Sequence, residues 1–274
     1  MTGLADYVRR EEIAQHAVRS LVGDEREVVR IESHQHNSGY VNFPYLGGGS
    51  FSVTVYYRDG QEMFFVKRDS DFNGTKYIFH KLVGKKPKTI PTEAKNLEML
   101  MEVDIAPRLL RYDDLEKLFI TEHVDNTSVL ETMNNGLDIS AMIYDLGRKY
   151  AHLHSIGLEG RDYRIDEHMK INNGRIVVLD WGTRDLFESG GYIGEVRARA
   201  NLLEMQVALH YEFKNSHAFE FWNAFIRGYN NSADVFGIRK LDLDFAPPTN
   251  IKRAAYYNLL VPLKHCFYKV IRGK

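Results

Sequence analysis

LGRKYAHLHSIGLEGRDYRIDEHMKINNGRIVVLDWG, residues 146–182, changes its period twice. It opens inside AMIYDLGRKYAHLHSIG, where apolar residues recur at helical spacing. It closes with two short strands, MKIN and RIVV, around Asn173-Gly174, the dipeptide that most strongly signals a two-residue hairpin. Further helices follow, ARANLLEMQVALHYEF and HAFEFWNAFIRGY, each with apolar residues at helical spacing. An isolated hairpin is therefore expected inside a helical half. Asp162 precedes it in a loop and Asp180 follows its second strand, 18 positions later. An aspartate after a strand means little singly, but the hairpin that fills the interval gives the pair significance.

Working back toward the N-terminus, the chain becomes β-rich. FSVTVYYR and EMFFVKR read as strands joined at Asp59-Gly60. YIFHKLV and TEAKNLEMLMEV carry helical spacing, the second expected to start after Pro91 with Thr92 as N-cap. KLFITEHV reads as another strand. A small β region, a connecting strand, and a helical region holding one hairpin follow one another in the order of the protein-kinase fold.

Three motifs carry that resemblance. LGGGSFSVTV places Leu46, Gly47, Gly48, Gly49 and Ser50 before a strand, similar to the glycine-rich loop whose backbone covers nucleotide phosphates. Ser52 stands where the third glycine of the family pattern falls. Lys67, twenty positions after Gly47, resembles the kinase lysine that pairs with the α and β phosphates. Glu93 on the next helix is the expected partner of that lysine, with Glu98 the competing choice. Glu93 is preferred because Leu97, Leu100 and Ile105 then fall where the family buries apolar residues. Gly160-Arg161-Asp162 and Asp180-Trp181-Gly182 resemble the His-Arg-Asp and Asp-Phe-Gly triplets.

The resemblance implies an α+β, bilobal protein-kinase-like fold with a small antiparallel β-sheet N-lobe and a mainly helical C-lobe. Residues 1–40 would be a helical extension, 41–124 the N-lobe and 125–274 the C-lobe. It implies ATP and Mg2+, or Mn2+, as cofactors. Asp162 would be the catalytic base, with Glu122 and Val124 joining Lys67, Glu93 and the glycine loop in contact with nucleotide. Asp180 would hold metal, with Glu167 beside it where the family has asparagine. A register shifted by one makes His168 the ligand, and lipopolysaccharide-core kinases are similar in showing a histidine near this place.

No Ala-Pro-Glu triplet follows in TRDLFESGGYIGEVRARANLLEM, so the peptide-docking platform of eukaryotic-type protein kinases is not expected. The chain is similar instead to aminoglycoside, choline and lipopolysaccharide sugar kinases, which implies a small-molecule or glycan acceptor. Arg161, Arg164 and Arg184 near the reaction centre suit an anionic or sugar acceptor, or simply pin the loop. The tail after Pro262, LKHCFYKVIRGK, reads either as a terminal packed helix or as a basic amphipathic end resting on an anionic membrane. The membrane reading would make a lipid-linked glycan attractive. An atypical Ser/Thr protein kinase and a catalytically lapsed nucleotide-binding scaffold are the alternatives.

Composition bounds the rest. With 36 Lys and Arg against 37 Asp and Glu in 274 residues, no global field recruits nucleic acid. One cysteine, Cys266, excludes an internal disulfide framework and suits a reducing, cytoplasmic setting. The first residues lack the apolar run of a signal peptide, and no stretch approaches the roughly 20 apolar residues of a membrane span. His34 and His36 in ESHQHNSG have spacing a metal could use, but a pair of loop histidines is not expected to bind one alone.

Overall fold

A computed structural model describes residues 12, 16–17, 29–35, 52–58, 61–68, 90–125, 127–159, 165–179, 181, 194–213 and 215–245. The chain divides into two compact units, Met1–Thr127 with His168–Leu186, and Ser128–Glu167 with Phe187–Lys274. The fold is α+β, with antiparallel sheets in the first unit and helices dominating the second.

The first unit holds β1 (Val29–Gln35), β2 (Ser52–Arg58), β3 (Gln61–Arg68), α1 (Ile90–Leu100), β4 (Leu109–Asp113) and β5 (Leu118–Glu122). The strands form one antiparallel sheet in the order β1-β2-β3-β5-β4. β5 is interior, and its Leu118, Phe119, Ile120 and Thr121 are all buried. A strand covered on both faces loses the polar alternation of a half-exposed one. Ile90, Ala94, Leu97 and Leu100 form the buried face of α1.

Three expectations need correction here. Pairing of β1 with β2 starts the sheet at Val29, inside the stretch expected to be a helical extension. That pairing also puts His34 in a strand, not a loop. The helix expected to begin after Pro91 is already helical at Ile90, so Thr92 lies inside the first turn and is not its cap. Proline is at home there, because a first-turn N–H has no helical partner to lose.

The hairpin β6 (Met169–Asn172) and β7 (Arg175–Val178) turns at Asn173 and Gly174, both at positive φ, 50° and 75°. These are the left-handed conformations a type I′ turn requires. The hairpin was expected in the helical lobe, yet it groups with the sheet unit. Val178 N–H donates to Ile105 O at 2.8 Å and Ile171 N–H to Thr127 O at 2.9 Å. Arg175 adds ion pairs to Asp104 and Glu122.

The second unit contains α2 (Val129–Asn134), α3 (Ser140–Ser155), α5 (Glu195–Glu212) and α6 (Asn215–Ala233), with α4 (Ile165–His168) at the division. Ser128 caps α2, its hydroxyl accepting from Glu131 N–H at 3.0 Å. α3 and α6 meet at two glycines. A Cβ on Gly147 would lie 2.0 Å from Phe225 O, and one on Gly228 would lie 1.9 Å from Tyr144 O. Each glycine thus lets its helix approach the other's backbone directly.

α5 departs from the expected single apolar stripe, since Met205 through Leu209 and His210 are consecutively buried. Its buried polar groups find partners from distant segments. Gln206 Nε2 donates to Asp244 O at 2.9 Å, and His210 stacks on Phe245. Asn201 Oδ1 lies 3.0 Å from His154 Nε2, while His154 Nδ1 is 2.9 Å from the Tyr229 hydroxyl. An amide oxygen only accepts, so Nε2 carries the proton and Nδ1 accepts from Tyr229. Burial holds the His154 pKa down to about 4, against the Asn201 bond and the Glu159 charge, which raise it.

Two stability predictions follow from this packing. Gly147→Ala gains about 1 kcal/mol of helix propensity but forces backbone apart, which costs about 1–3 kcal/mol or more. The clash with main chain, which cannot swing aside, should win, and chemical denaturation should show a net loss. Gly194→Ala, whose Cβ would meet nothing within 4 Å, should stay near wild type. His154 is neutral in the fold but protonates in the unfolded chain as pH falls below 6.5. Its contribution is therefore complete above that pH and declines toward pH 4, by about 3 kcal/mol in total. His154→Phe should cost stability at neutral pH yet flatten that part of the acid decline in melting temperature.

Candidate active site

Lys67 lies near the end of β3, its Cα opposite Val53 of β2 and Phe119 of β5. Its position is therefore set by two ladders. The ammonium lies 6.0 Å from the Phe119 ring centroid and donates to both oxygens of Glu93, at 2.8 and 2.7 Å. Glu93 sits in the first turn of α1, where unpaired backbone N–H groups also favour a carboxylate. Its side chain is 5% exposed and that of Lys67 17%. Glu98, the competing partner, is exposed on another face of the helix.

α1 makes a second contact three residues on. Asn96 is buried, and its Nδ2 donates to Trp181 O at 2.6 Å. The backbone on either side of Asp180 is tied down throughout. Val178 N–H bonds Ile105 O, and Leu179 N–H donates to His168 O at 2.7 Å. The fully buried Trp181 ring donates through Nε1 to Val178 O at 2.6 Å.

Glu122 serves the protein itself. Its Oε1 accepts from Arg108 N–H at 3.0 Å and from Arg175 Nη2, and its own N–H donates to Arg108 O at 3.0 Å. Val124 is buried, and between them His123 stacks on Phe65 and accepts from Asn172 Nδ2 at 3.3 Å.

In the helical unit, the residues flanking Asp162 are held by α5. Glu159, 1% exposed, pairs with Arg197 at 3.2 Å. Asp166 N–H donates to Glu212 Oε2 at 2.7 Å. Gly47, Gly48, Gly49, Ser50, Asp162 and Asp180 lie outside the described residues, as do Arg161, Arg164, Arg184, Cys266, His36 and the tail after Pro262. Glu167 is placed in α4 by its backbone alone. Among the described residues, no group of three or more His, Cys, Asp or Glu gathers to hold a metal, and no helix is long and apolar enough to cross a membrane.

The sequence reading passed over Asn96, Arg175 and Arg197. Asn96 had a signal, since it lies three residues from Glu93 on the face that carries Leu97 and Leu100. Arg175 and Arg197 had none, because their partners lie tens of positions away in the chain.

No protein-family model matches the chain, and no curated protein matches it. Among solved structures it is similar to the choline kinase LicA from Streptococcus pneumoniae, at 14% identity over 97% of this chain and 92% of that one, with a TM-score of 0.45. It is also similar to a choline/ethanolamine kinase family protein from Mesorhizobium loti, at 11% identity over 83% and 84%, with a TM-score of 0.40. Likeness at that level leaves the chemistry to be argued from the residues themselves.

Removing one member of a buried ion pair strands the other and costs about 3–5 kcal/mol, whereas replacing both with apolar groups is often neutral. Lys67→Met should therefore lower stability measurably in urea. The double variant with Glu93→Leu should recover most of it. Similar stability of the single and double variants would contradict the pairing.

Proposed function

We propose that the chain is an ATP-dependent phosphotransferase that delivers the γ-phosphoryl group to the hydroxyl of a sugar, glycan or other small molecule. The observation that carries the reading is the bidentate Lys67–Glu93 pair, which joins a sheet strand to the following helix. A buried ion pair is no better for stability than well-packed apolar residues. Its presence in a chain whose sequence also carries a glycine-rich segment and two spaced aspartates is economical if the ammonium serves a ligand. The donor set fits: an ammonium suits phosphate oxygens, and the carboxylates of Asp180 and Glu167 suit a hard divalent cation.

Lys67, held by Glu93, orients the α and β phosphates, while Gly47–Ser50 offer backbone N–H groups over them. Asp180 and Glu167 would hold the metal. When bound, that ion neutralises charge on the β and γ phosphate oxygens. Asp162 accepts a hydrogen bond from the acceptor hydroxyl, aims its oxygen at phosphorus in line with the leaving group, and takes the proton as the new P–O bond forms and the bond from the γ-phosphorus to the β,γ-bridging oxygen breaks, releasing ADP. Glu122 is left out of nucleotide contact by side chain, since its carboxylate already holds Arg108 and Arg175. The basic tail would bring the enzyme to anionic membranes if the acceptor is lipid-linked.

Incubation with γ-labelled ATP, magnesium or manganese, and cell extract split into protein, lipid-glycan and small-molecule fractions tests this reading. Label should enter the small-molecule or lipid-glycan fraction. Asp162→Ala should lower transfer by about 100-fold to 10,000-fold, and Asp180→Ala should abolish it. Label confined to protein would make the chain a protein kinase. Thermal stabilisation by ATP with no transfer to any fraction would make it a scaffold.

A further inference from the structure

Helix α1 touches the candidate site twice. Glu93 grips Lys67, and Asn96, one helical turn later on the same face, donates 2.6 Å to the main-chain oxygen of Trp181. Asparagine is a middling residue for a helix interior, and an unpaired amide in a dry site is destabilising. A buried asparagine on this largely apolar face, like Glu93 before it, therefore needs its partner. That partner is the carbonyl immediately after Asp180.

Other bonds around this position arise within the hairpin and its surroundings. Val178 N–H goes to Ile105 O, Leu179 N–H to His168 O, and Trp181 Nε1 back to Val178 O. The Asn96 bond comes instead from the helix that also carries Glu93. Three residues of α-helix advance about 4.5 Å. A shift or roll of α1 that loosened one grip would thus disturb the other.

We propose that Asn96 is a positioning residue for the metal-holding turn, making the placement of Asp180 conditional on the same helix that places Lys67. This rests on the functional reading given above. Glu93 acts on the phosphate-binding lysine, so its loss should weaken binding of ATP whether or not metal is present. Asn96 acts on the residue next to the metal carboxylate, so its loss should be felt only when metal is present. The two contacts on one helix are thereby separable by experiment.

The test is calorimetric binding of ATP to the full chain, once with excess magnesium chloride and once with EDTA, for wild type, Asn96→Leu, Asn96→Ala and Leu97→Ala. A buried neutral hydrogen bond is worth roughly 1 kcal/mol net, so magnesium–ATP should bind about fivefold to tenfold more weakly to the Asn96 variants. ATP in EDTA should bind them as it binds wild type. Alanine is the best helix former, so Asn96→Ala supplies the readout if Asn96→Leu does not fold. Leu97→Ala, a core truncation on the same helix, should lower stability without the metal-selective loss. Wild-type affinity for magnesium–ATP in Asn96→Ala would overturn the proposal, as would equal weakening of both forms, or the same selective loss in Leu97→Ala. Wild-type chain that binds no magnesium–ATP would overturn the functional reading itself, a result visible before any variant is made.

Discussion

A carboxylate left in a nearly dry site needs a cation within hydrogen-bond reach, and that requirement ties strand β3 to helix α1. The effective cost of burying each ion is several kcal/mol, repaid only when geometry is close and both oxygens are satisfied. Lys67 meets this condition by bonding both oxygens of Glu93. The register of β3 against β2 and β5 fixes where the lysine starts. Packing of Ile90, Ala94, Leu97 and Leu100 fixes where the glutamate points. Sheet and helix are consequently positioned by one another, and the ammonium is held in place by its carboxylate.

The hairpin extends the same logic. Two-stranded hairpins are marginal alone, and this one is secured by backbone bonds to Ile105 and Thr127 and by Arg175 between Asp104 and Glu122. Those anchors assign it to the sheet unit, although the chain on both sides of it enters helices. Through Asn96, the helix that presents Glu93 also touches the residue after Asp180. A nucleotide that engaged Lys67 would therefore meet carboxylate and ammonium supported by one framework.

Local signals made much of this legible in the sequence. Asn173-Gly174 adopts the left-handed pair its hairpin turn demands, a property of two residues and nothing else. Glu93 could be preferred over Glu98 because a helix face is set by spacing, and only Glu93 shares the face of Leu97 and Leu100. Elsewhere the deciding partner was remote. α5 reads as amphipathic from its own residues, but Gln206 is satisfied by Asp244 and Asn201 by His154, so polar side chains are buried where a stripe would expose them. β1 joins the sheet by pairing with β2. The partners of the Glu122 carboxylate, Arg108 and Arg175, were hidden for the same reason.

The described residues nearest the two aspartates are held by different physics. The flank of Asp180 is held by neutral hydrogen bonds among main chain, an amide and an indole. The flanks of Asp162 are held by charge, through Glu159 with Arg197 on one side and the Glu212 carboxylate on the other, both partners belonging to α5. Neutral bonds suit a residue whose carboxylate would meet a dication, because they add no competing field. At His154, burial lowers the pKa most, Glu159 raises it and Arg197 lowers it.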